Sequence, residues 1–160
     1  MSYTYSYQNR LVEGVLRDFP RMNTDLQAWR EYAIPAAVSP TGEELGCHVL
    51  GGQKSYQQER YCALLNGRNV RNLEKIVETI YSAYCSRPDM QRRVVALRYW
   101  RDCSFDDVAA EIPCVKRTAF RAKASALKAL LRPCLEVINL IEDWRERERV
   151  AFENLIAIGL

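Results

Sequence analysis

Apolar residues recur at intervals of three and four along most of this 160-residue chain. This spacing places them on one face of an α-helix. No alternating pattern of the kind that indicates β-strands extends over a useful length, so the fold is predicted to be all-α. The helices are predicted over residues 9–19, 24–34, 58–86, 88–101, 104–112, 115–131 and 133–158. Residues 1–8 are polar and aromatic and are expected to fray.

Prolines and glycines predict where these helices end. Pro20 is expected to end the first helix or start the next, Pro35 to end the second, and Pro133 to begin the last. Residues 35–57 carry two prolines and four glycines and are predicted to form a linker. An Asn-Gly pair at 66–67 could divide the helix over 58–86. We therefore expect three parts: N-terminal helices with a linker (1–57), a long helix followed by shorter helices (58–132), and a C-terminal helix (133–160).

Positive charge is concentrated in one stretch of the chain. Residues 1–86 carry nine basic and nine acidic side chains, residues 87–132 carry eleven and five, and residues 133–160 carry three and six. Within the middle stretch, residues 112–132 hold six cations and no anion. Concentrated cations suit a polyanion, because neutralising phosphates releases counterions. The alternative is a solvated helix face, although such faces usually mix both signs.

Several classes of function are disfavoured by the sequence. The six cysteines are widely spaced without a CxxC, and the single histidine, His48, has few ligands nearby, so we expect reduced thiols and no metal site. The histidine has no evident nucleophile partner, and no phosphate-binding loop is present. We therefore predict neither an enzyme nor a cofactor. No apolar stretch approaches the roughly 18–20 residues of a membrane span, and a cytoplasmic protein without a membrane partner is expected.

Residues 104–131 have the pattern of a helix-turn-helix. Ser104 can cap the first helix, and Asp106 and Asp107 suit the helix dipole in its first turn. The inward residues of this helix are predicted to be Phe105, Val108 and Ile112, with the small Ala109 where the second helix crosses. The turn over 112–115 is too short for an antiparallel helix pair.

The second helix, over about 115–131, is predicted to be the recognition helix in the major groove of double-stranded DNA. Its inward face is Ala119, Ala122, Ala126, Leu127 and Leu130. Arg117 and Arg121 lie one turn apart and could each contact a guanine edge, while Phe120 could contact a thymine methyl group. Lys116, Lys123 and Lys128 are expected to contact phosphates, and Thr118 completes the predicted DNA-binding set. Two alternatives remain open: a basic, alanine-rich helix that only packs on its neighbour, and Phe120 as a core residue.

These residues resemble known DNA-binding proteins. The segments Ser-Phe-Asp-Asp-Val-Ala-Ala-Glu-Ile (104–112) and Ala-Ser-Ala-Leu-Lys-Ala-Leu-Leu-Arg-Pro (124–133) resemble region 4 of primary bacterial sigma factors, and Val-Ala-Leu-Arg-Tyr-Trp (95–100) resembles the helix that opens it. The layout is similar to the RinA/ArpU-like regulators of phage late genes. The resemblance implies a phage or prophage transcription regulator, a contact with RNA polymerase, and a recognition face on Lys116, Arg117, Phe120 and Arg121. The hydroxyl residue that commonly caps the recognition helix is replaced here by Val115.

The C-terminal helix leaves two alternatives. Its apolar residues alternate at spacings of four and three, interrupted by Glu148, and the other faces carry both signs of charge. Residues 133–160 could join copies of the chain into a homodimer or a higher homo-oligomer, or could fold back onto the helix over 58–86. We predict a sequence-specific transcription regulator, and the alternative is a phage small terminase subunit that recognises packaging-site DNA.

Overall fold

A computed structural model describes the backbone of residues 2–38 and 56–159, and the side chains of residues 6–30 and 67–159. The α-helices are Ser2–Val38 (α1), Tyr56–Cys85 (α2), Asp89–Val95 (α3), Phe105–Glu111 (α4), Lys116–Glu136 (α5) and Ile138–Ala157 (α6), and a π-helical turn, Ala96–Trp100, continues α3. None of the described residues forms a strand. The prediction of an all-α fold is confirmed.

The chain forms two compact units, Met1–Pro20 with Ile76–Leu160, and Arg21–Lys75. The second unit contains an exposed ion pair in which Arg30 Nη2 lies 2.8 Å from Glu74 Oε1. Its buried side chains include Met22, Leu26, Val70 and Leu73. The first unit contains α3, α4 and α5 and therefore the predicted DNA-binding segment.

The N-terminal helix is longer than the sequence pattern predicts. Helix α1 runs without a break from Ser2 through Pro20 and Pro35 to Val38, so the predicted fraying of residues 1–8 and both predicted proline breaks are wrong. A proline inside a helix removes the N–H that would bond to the carbonyl four residues earlier. At Pro20 that carbonyl belongs to Leu16, and the indole Nε1 of Trp100 donates to it at 3.1 Å. The protein therefore replaces the missing donor with a side chain from another helix.

The predicted linker and the second long helix also differ in their bounds. Residues 35–38 and 56–57 of the predicted linker are helical, and residues 39–55 lie outside the described residues. Helix α2 passes through Asn66 and Gly67 without a break. A helix with a buried apolar stripe tolerates one glycine, because the intrinsic penalty is only about 1 kcal/mol.

The segment that leads into the predicted helix-turn-helix ends in a π-helical turn. The N–H of Arg101 donates to the carbonyl of Ala96 at 3.0 Å, which is the five-residue spacing of a π-helix. Asp102 then adopts a left-handed backbone conformation, with φ of 52°, and ends the helix. In this turn Tyr99 is buried and Trp100 is half-buried.

The boundary between the last two helices lies five residues later than predicted. Pro133 stands inside α5, and the break falls at Val137, with φ of −116° and ψ of 9°. Continuing the helix past the proline places Cys134 and Val137 on the same buried face as Leu130. Burial of these side chains offsets the penalty of an internal proline, which is about 3 kcal/mol.

Candidate nucleic-acid interface

The predicted helix-turn-helix is formed by α4 and α5, with residues 112–115 between them. Ser104 caps α4 as predicted: its Oγ accepts from the N–H of Asp107 at 3.2 Å, and the Asp107 carboxylate accepts from the N–H of Ser104 at 3.2 Å. This reciprocal arrangement is a capping box. At the other end, Ile112 and Val115 both have extended backbones, which turn the chain out of α4 and into α5.

A small apolar core holds α5 against the two preceding helices. Its buried members are Val94, Leu97, Val108, Ile112, Ala119 and Ala122, with Met90, Cys103, Phe105 and Cys114 packed around them. The predicted inward residues Val108 and Ile112 of α4 and Ala119 and Ala122 of α5 therefore lie in one core. Because α5 contributes alanines here, its backbone can approach the core closely, and its opposite face remains at the surface.

An aromatic stack joins the two helices at the edge of this core. The rings of Phe105 in α4 and Phe120 in α5 lie nearly parallel, with centroids 4.1 Å apart. The cationic groups of Arg98 and Lys123 each lie 5.1 Å from the centroid of the Phe105 ring. Phe120 remains 44% exposed, so it packs against α4 and leaves part of its ring at the surface.

A stripe of unpaired cations runs along the outer face of α5. At about 100° per residue, Arg117, Arg121 and Lys128 fall within an arc of about 40°, and all three are exposed. The buried Ala119 and Ala126 lie on the opposite side of the helix. In the described part of the chain, none of these three cations has a hydrogen bond or an ion pair. We call Arg117, Arg121 and Lys128 the cationic stripe.

The remaining predicted contact residues of α5 lie elsewhere. Lys116 Nζ forms an exposed ion pair with Asp106 Oδ1 at 2.8 Å, which joins the first turns of α4 and α5. Lys123 Nζ lies 3.3 Å from Glu13 Oε1 of α1 with only 23% of its side chain exposed, so its ammonium group points toward protein. Thr118 is exposed beside the cationic stripe. The structure therefore brings Thr118 together with the stripe and directs Lys123 away from it.

The distinction between paired and free cations extends over the whole basic stretch. The paired ones within residues 87–132 are Arg92, Arg98, Arg101, Lys116, Lys123 and Arg132. Arg87 and Arg93 resemble the cationic stripe in having no partner among the described residues. Net charge along the sequence could not separate the two groups, because pairing depends on acids such as Glu13 that are distant in the chain.

Sequence reasoning did not assign a contact role to Val115. It is the N-cap of α5, and no side chain caps this helix. Its side chain is 73% exposed, although a serine, threonine or aspartate here would stabilise the helix by about 1 kcal/mol. The N-terminus of α5 therefore presents an apolar group and uncapped N–H groups beside Arg117. The sequence alone could have identified Val115, because it shows a valine where a capping hydroxyl residue is usual.

The first half of α1 contacts both the segment that precedes α4 and the C-terminal helix α6. The hydroxyl of Tyr99 donates to Glu13 Oε1 at 2.7 Å, and Arg145 Nε of α6 donates to Asp18 Oδ2 at 2.8 Å. Burial, together with the hydrogen bond to Glu13, strongly raises the pKa of Tyr99. Burial also raises the pKa of the Cys134 thiol in α5 to about 12. The hydrogen bonds of Glu13 and Asp18 thus connect α1 to the segment that precedes α4 and to the C-terminal helix.

The cysteines of the described residues do not belong to a metal site. Cys85, Cys103, Cys114 and Cys134 are free thiols, and no group of histidine, cysteine and acidic side chains there has the arrangement of a metal site. Cys47, His48 and Cys62 fall outside the described side chains. Among the helices described, none is both long enough and apolar enough to cross a membrane.

Comparisons with known proteins add no family. No protein-family model matches the chain, and neither a curated protein nor a solved structure shows significant similarity to it.

Proposed function

We propose that this protein binds double-stranded DNA, with the N-terminal half of α5 in the major groove, and acts as a sequence-specific transcription regulator. The observation that carries the proposal is the cationic stripe, Arg117, Arg121 and Lys128, on a helix whose opposite face is buried in a helix-turn-helix core. Because these cations have no partner within the described protein, they are free to neutralise phosphates and to contact base edges.

The proposed contacts divide into three kinds. Arg117 and Arg121 lie near the N-terminus of α5, the end that contacts bases in this motif, and each can donate two hydrogen bonds to a guanine edge. Lys128 lies about 16 Å further along the helix from Arg117, at about 1.5 Å per residue, and suits a phosphate at the groove wall. Val115 and the exposed part of Phe120 supply apolar surface that fits the C5-methyl group of thymine.

Lys123 and Lys116 have other roles in this proposal than the direct phosphate contacts that the sequence predicts for them. Lys123 stabilises the DNA-binding unit through Glu13 and the Phe105 ring, and DNA contact is assigned to its exposed neighbours. Lys116 is held beside Asp106, and its exposed ammonium group can move to a phosphate when DNA approaches. Exposed ion pairs are worth only about 0–1 kcal/mol, so the Asp106 contact is a small obstacle to this exchange.

The biological setting is proposed from the sequence resemblance. The protein would act in the cytoplasm of a bacterial host on a promoter or operator of phage or prophage late genes, with RNA polymerase as a second partner. Genomic fragments from host and phage are to be selected with the purified protein and sequenced. Fragments upstream of late genes support regulation, whereas a packaging-start sequence bound by a ring of many subunits supports the small terminase subunit.

The binding itself is tested by fluorescence anisotropy on a labelled duplex of about 25 base pairs at a series of salt concentrations. On a duplex of random sequence, where Arg117, Arg121, Lys128 and Lys116 can all neutralise phosphates, the logarithm of the association constant should fall with the logarithm of salt with a slope of about −3.6. The proposal is wrong if no duplex binds at about 20 mM salt, where electrostatic attraction is strongest.

A further inference from the structure

The C-terminal helix is buried in its first half and bare in its second. Ile141 and Trp144 are buried, and Arg145 is paired with Asp18 of α1. From residue 149 to residue 159, every residue is exposed. Five large apolar side chains in this segment are between 42 and 72% exposed, namely Val150, Phe152, Leu155, Ile156 and Ile158. Isolated apolar residues are common on protein surfaces, but Phe152, Leu155, Ile156 and Ile158 lie within an arc of about 160° of the helix and form a patch, whereas Val150 lies on the opposite face.

The bare segment continues the buried face of the same helix. At about 100° per residue, Phe152, Leu155 and Ile156 fall within the same arc of about 120° as Ile141 and Trp144. The outer face carries Glu142, Asp143, Glu146, Arg147, Glu153 and Asn154. The face that packs inside the chain up to Trp144 therefore extends beyond it without cover among the described residues. We call residues 150–158 the bare end of α6.

We propose that a second copy of this chain covers the bare end of α6, forming a weak two-fold dimer. Residues 145–158 carry three arginines and three glutamates, so two copies of this segment meet without net repulsion. Arg149 already forms ion pairs with Glu146 and Glu153 of its own helix. These three charges are therefore paired within one chain and do not require an ion pair with another molecule. A net-neutral segment is a poor match for DNA or for an anionic surface.

The area available sets the strength of this dimer. If each large apolar side chain offers on the order of 150–200 Å² when fully exposed, the four on this face together expose about 400 Å² per chain. A standard stable interface buries about 800 Å² per partner. The bare end alone therefore falls in the class of weak, reversible interfaces, with a dissociation constant of about 1–100 µM. In a two-fold dimer each chain contributes the same patch, and two DNA-binding units would be joined.

Sedimentation equilibrium of the full chain, without DNA, tests this inference independently of the proposed function. The weight-average mass is expected to rise from one chain toward two between about 1 and 200 µM. The double variant Phe152→Ser with Ile156→Ser should raise the dissociation constant at least tenfold. The matched control, Val150→Ser with Asn154→Ser, changes only uncharged residues on the outer face of the same segment and should leave the constant within about twofold. All these positions are exposed, and circular dichroism verifies that each variant is folded.

A single-chain mass at every concentration would overturn the dimer. An assembly larger than two chains would overturn it as well, and so would a dimer that tolerates the double variant but is lost in the control. Because no DNA is present, a chain that dimerises but binds no duplex contradicts only the proposed function. A monomer that binds duplex contradicts only the dimer.

Discussion

The indole N–H of Trp100 occupies the position of a backbone donor that Pro20 cannot supply, because it bonds the carbonyl of Leu16 at 3.1 Å. The ring of Trp100 also stacks on Phe19, with centroids 5.3 Å apart, so the side chain is held on two sides. The bond connects the middle of α1 to the last residue of the π-helical turn. One side chain thus allows a proline within a long helix and anchors the segment that leads to α4.

Replacing Trp100 by phenylalanine tests this relationship. The variant keeps an aromatic ring and removes the donor, which leaves the carbonyl of the buried Leu16 without its hydrogen-bond partner. We expect the free energy of unfolding to fall by about 1–3 kcal/mol, measured by urea denaturation. In a Pro20→Ala background the new backbone N–H can bond Leu16 itself, so the same substitution at Trp100 should cost less. Equal costs in the two backgrounds would show that the hydrogen bond is not what matters there.

Two members of the cationic stripe should respond differently to substitution. Arg121→Ala is expected to weaken binding to the selected site by about 1–3 kcal/mol while affecting random duplex much less, because a bidentate base contact is lost. Lys128→Ala should weaken both duplexes alike and reduce the salt slope by about one. Anisotropy titrations on both duplexes measure these effects, and Arg71→Ala, at an exposed arginine of α2, is the charge-matched control. An equal loss on both duplexes for Arg121→Ala would contradict its contact with a base.

The apolar contact proposed for Val115 can be tested from the DNA side. Replacing thymine by deoxyuridine removes only the C5-methyl group. At one or two positions of the selected site we expect affinity to fall about fourfold, because one buried carbon is worth about 0.8 kcal/mol. Val115→Ala should abolish this sensitivity, whereas Val150→Ala, at an exposed valine of α6, should retain it. If Val115→Ala discriminates thymine from uracil as well as the natural protein does, the side chain does not contact the methyl group.

Alkaline pH is expected to destabilise the fold. Burial raises the pKa of the Cys134 thiol to about 12, and burial with the hydrogen bond to Glu13 raises the pKa of Tyr99. In the unfolded chain these groups ionise near their ordinary values of about 8.5 and 10. Above those values the unfolded chain has released protons that the folded chain still holds. The free energy of unfolding is therefore highest below about pH 8.5. It falls as the pH rises, by up to about 1.4 kcal/mol per pH unit for each group.

Urea denaturation between pH 7.5 and 10.5 measures this slope. Cys134→Ala should flatten it from about pH 8.5 upward, and Tyr99→Phe should flatten it only near pH 10 and above. Cys114→Ala, at a half-buried thiol of the turn between α4 and α5, serves as the control for removing a thiol. A slope that survives both substitutions would have to come from other groups.

Local signals in the sequence predicted the helix-turn-helix well. The capping box at Ser104 and Asp107, the turn after Ile112, and the inward faces of α4 and α5 all depend on residues within a few positions of one another. Hydrogen bonds to the nearest N–H groups and the 3.6-residue period act over this range. The same local rules failed at Pro20 and Pro133, because the penalty of a proline is local but the contacts that offset it are distant in sequence.

The sequence by itself determined that this chain is helical, where the basic stretch lies, and which residues of α5 face the core, because periodicity and composition are properties of neighbouring residues. Only the tertiary structure decided which cations are free. Glu13 lies more than a hundred residues before Lys123 in the chain and still engages its ammonium group, whereas Arg117 and Arg121 meet no acid in the described part of the protein. An ion pair depends on distance in space, and folding sets that distance.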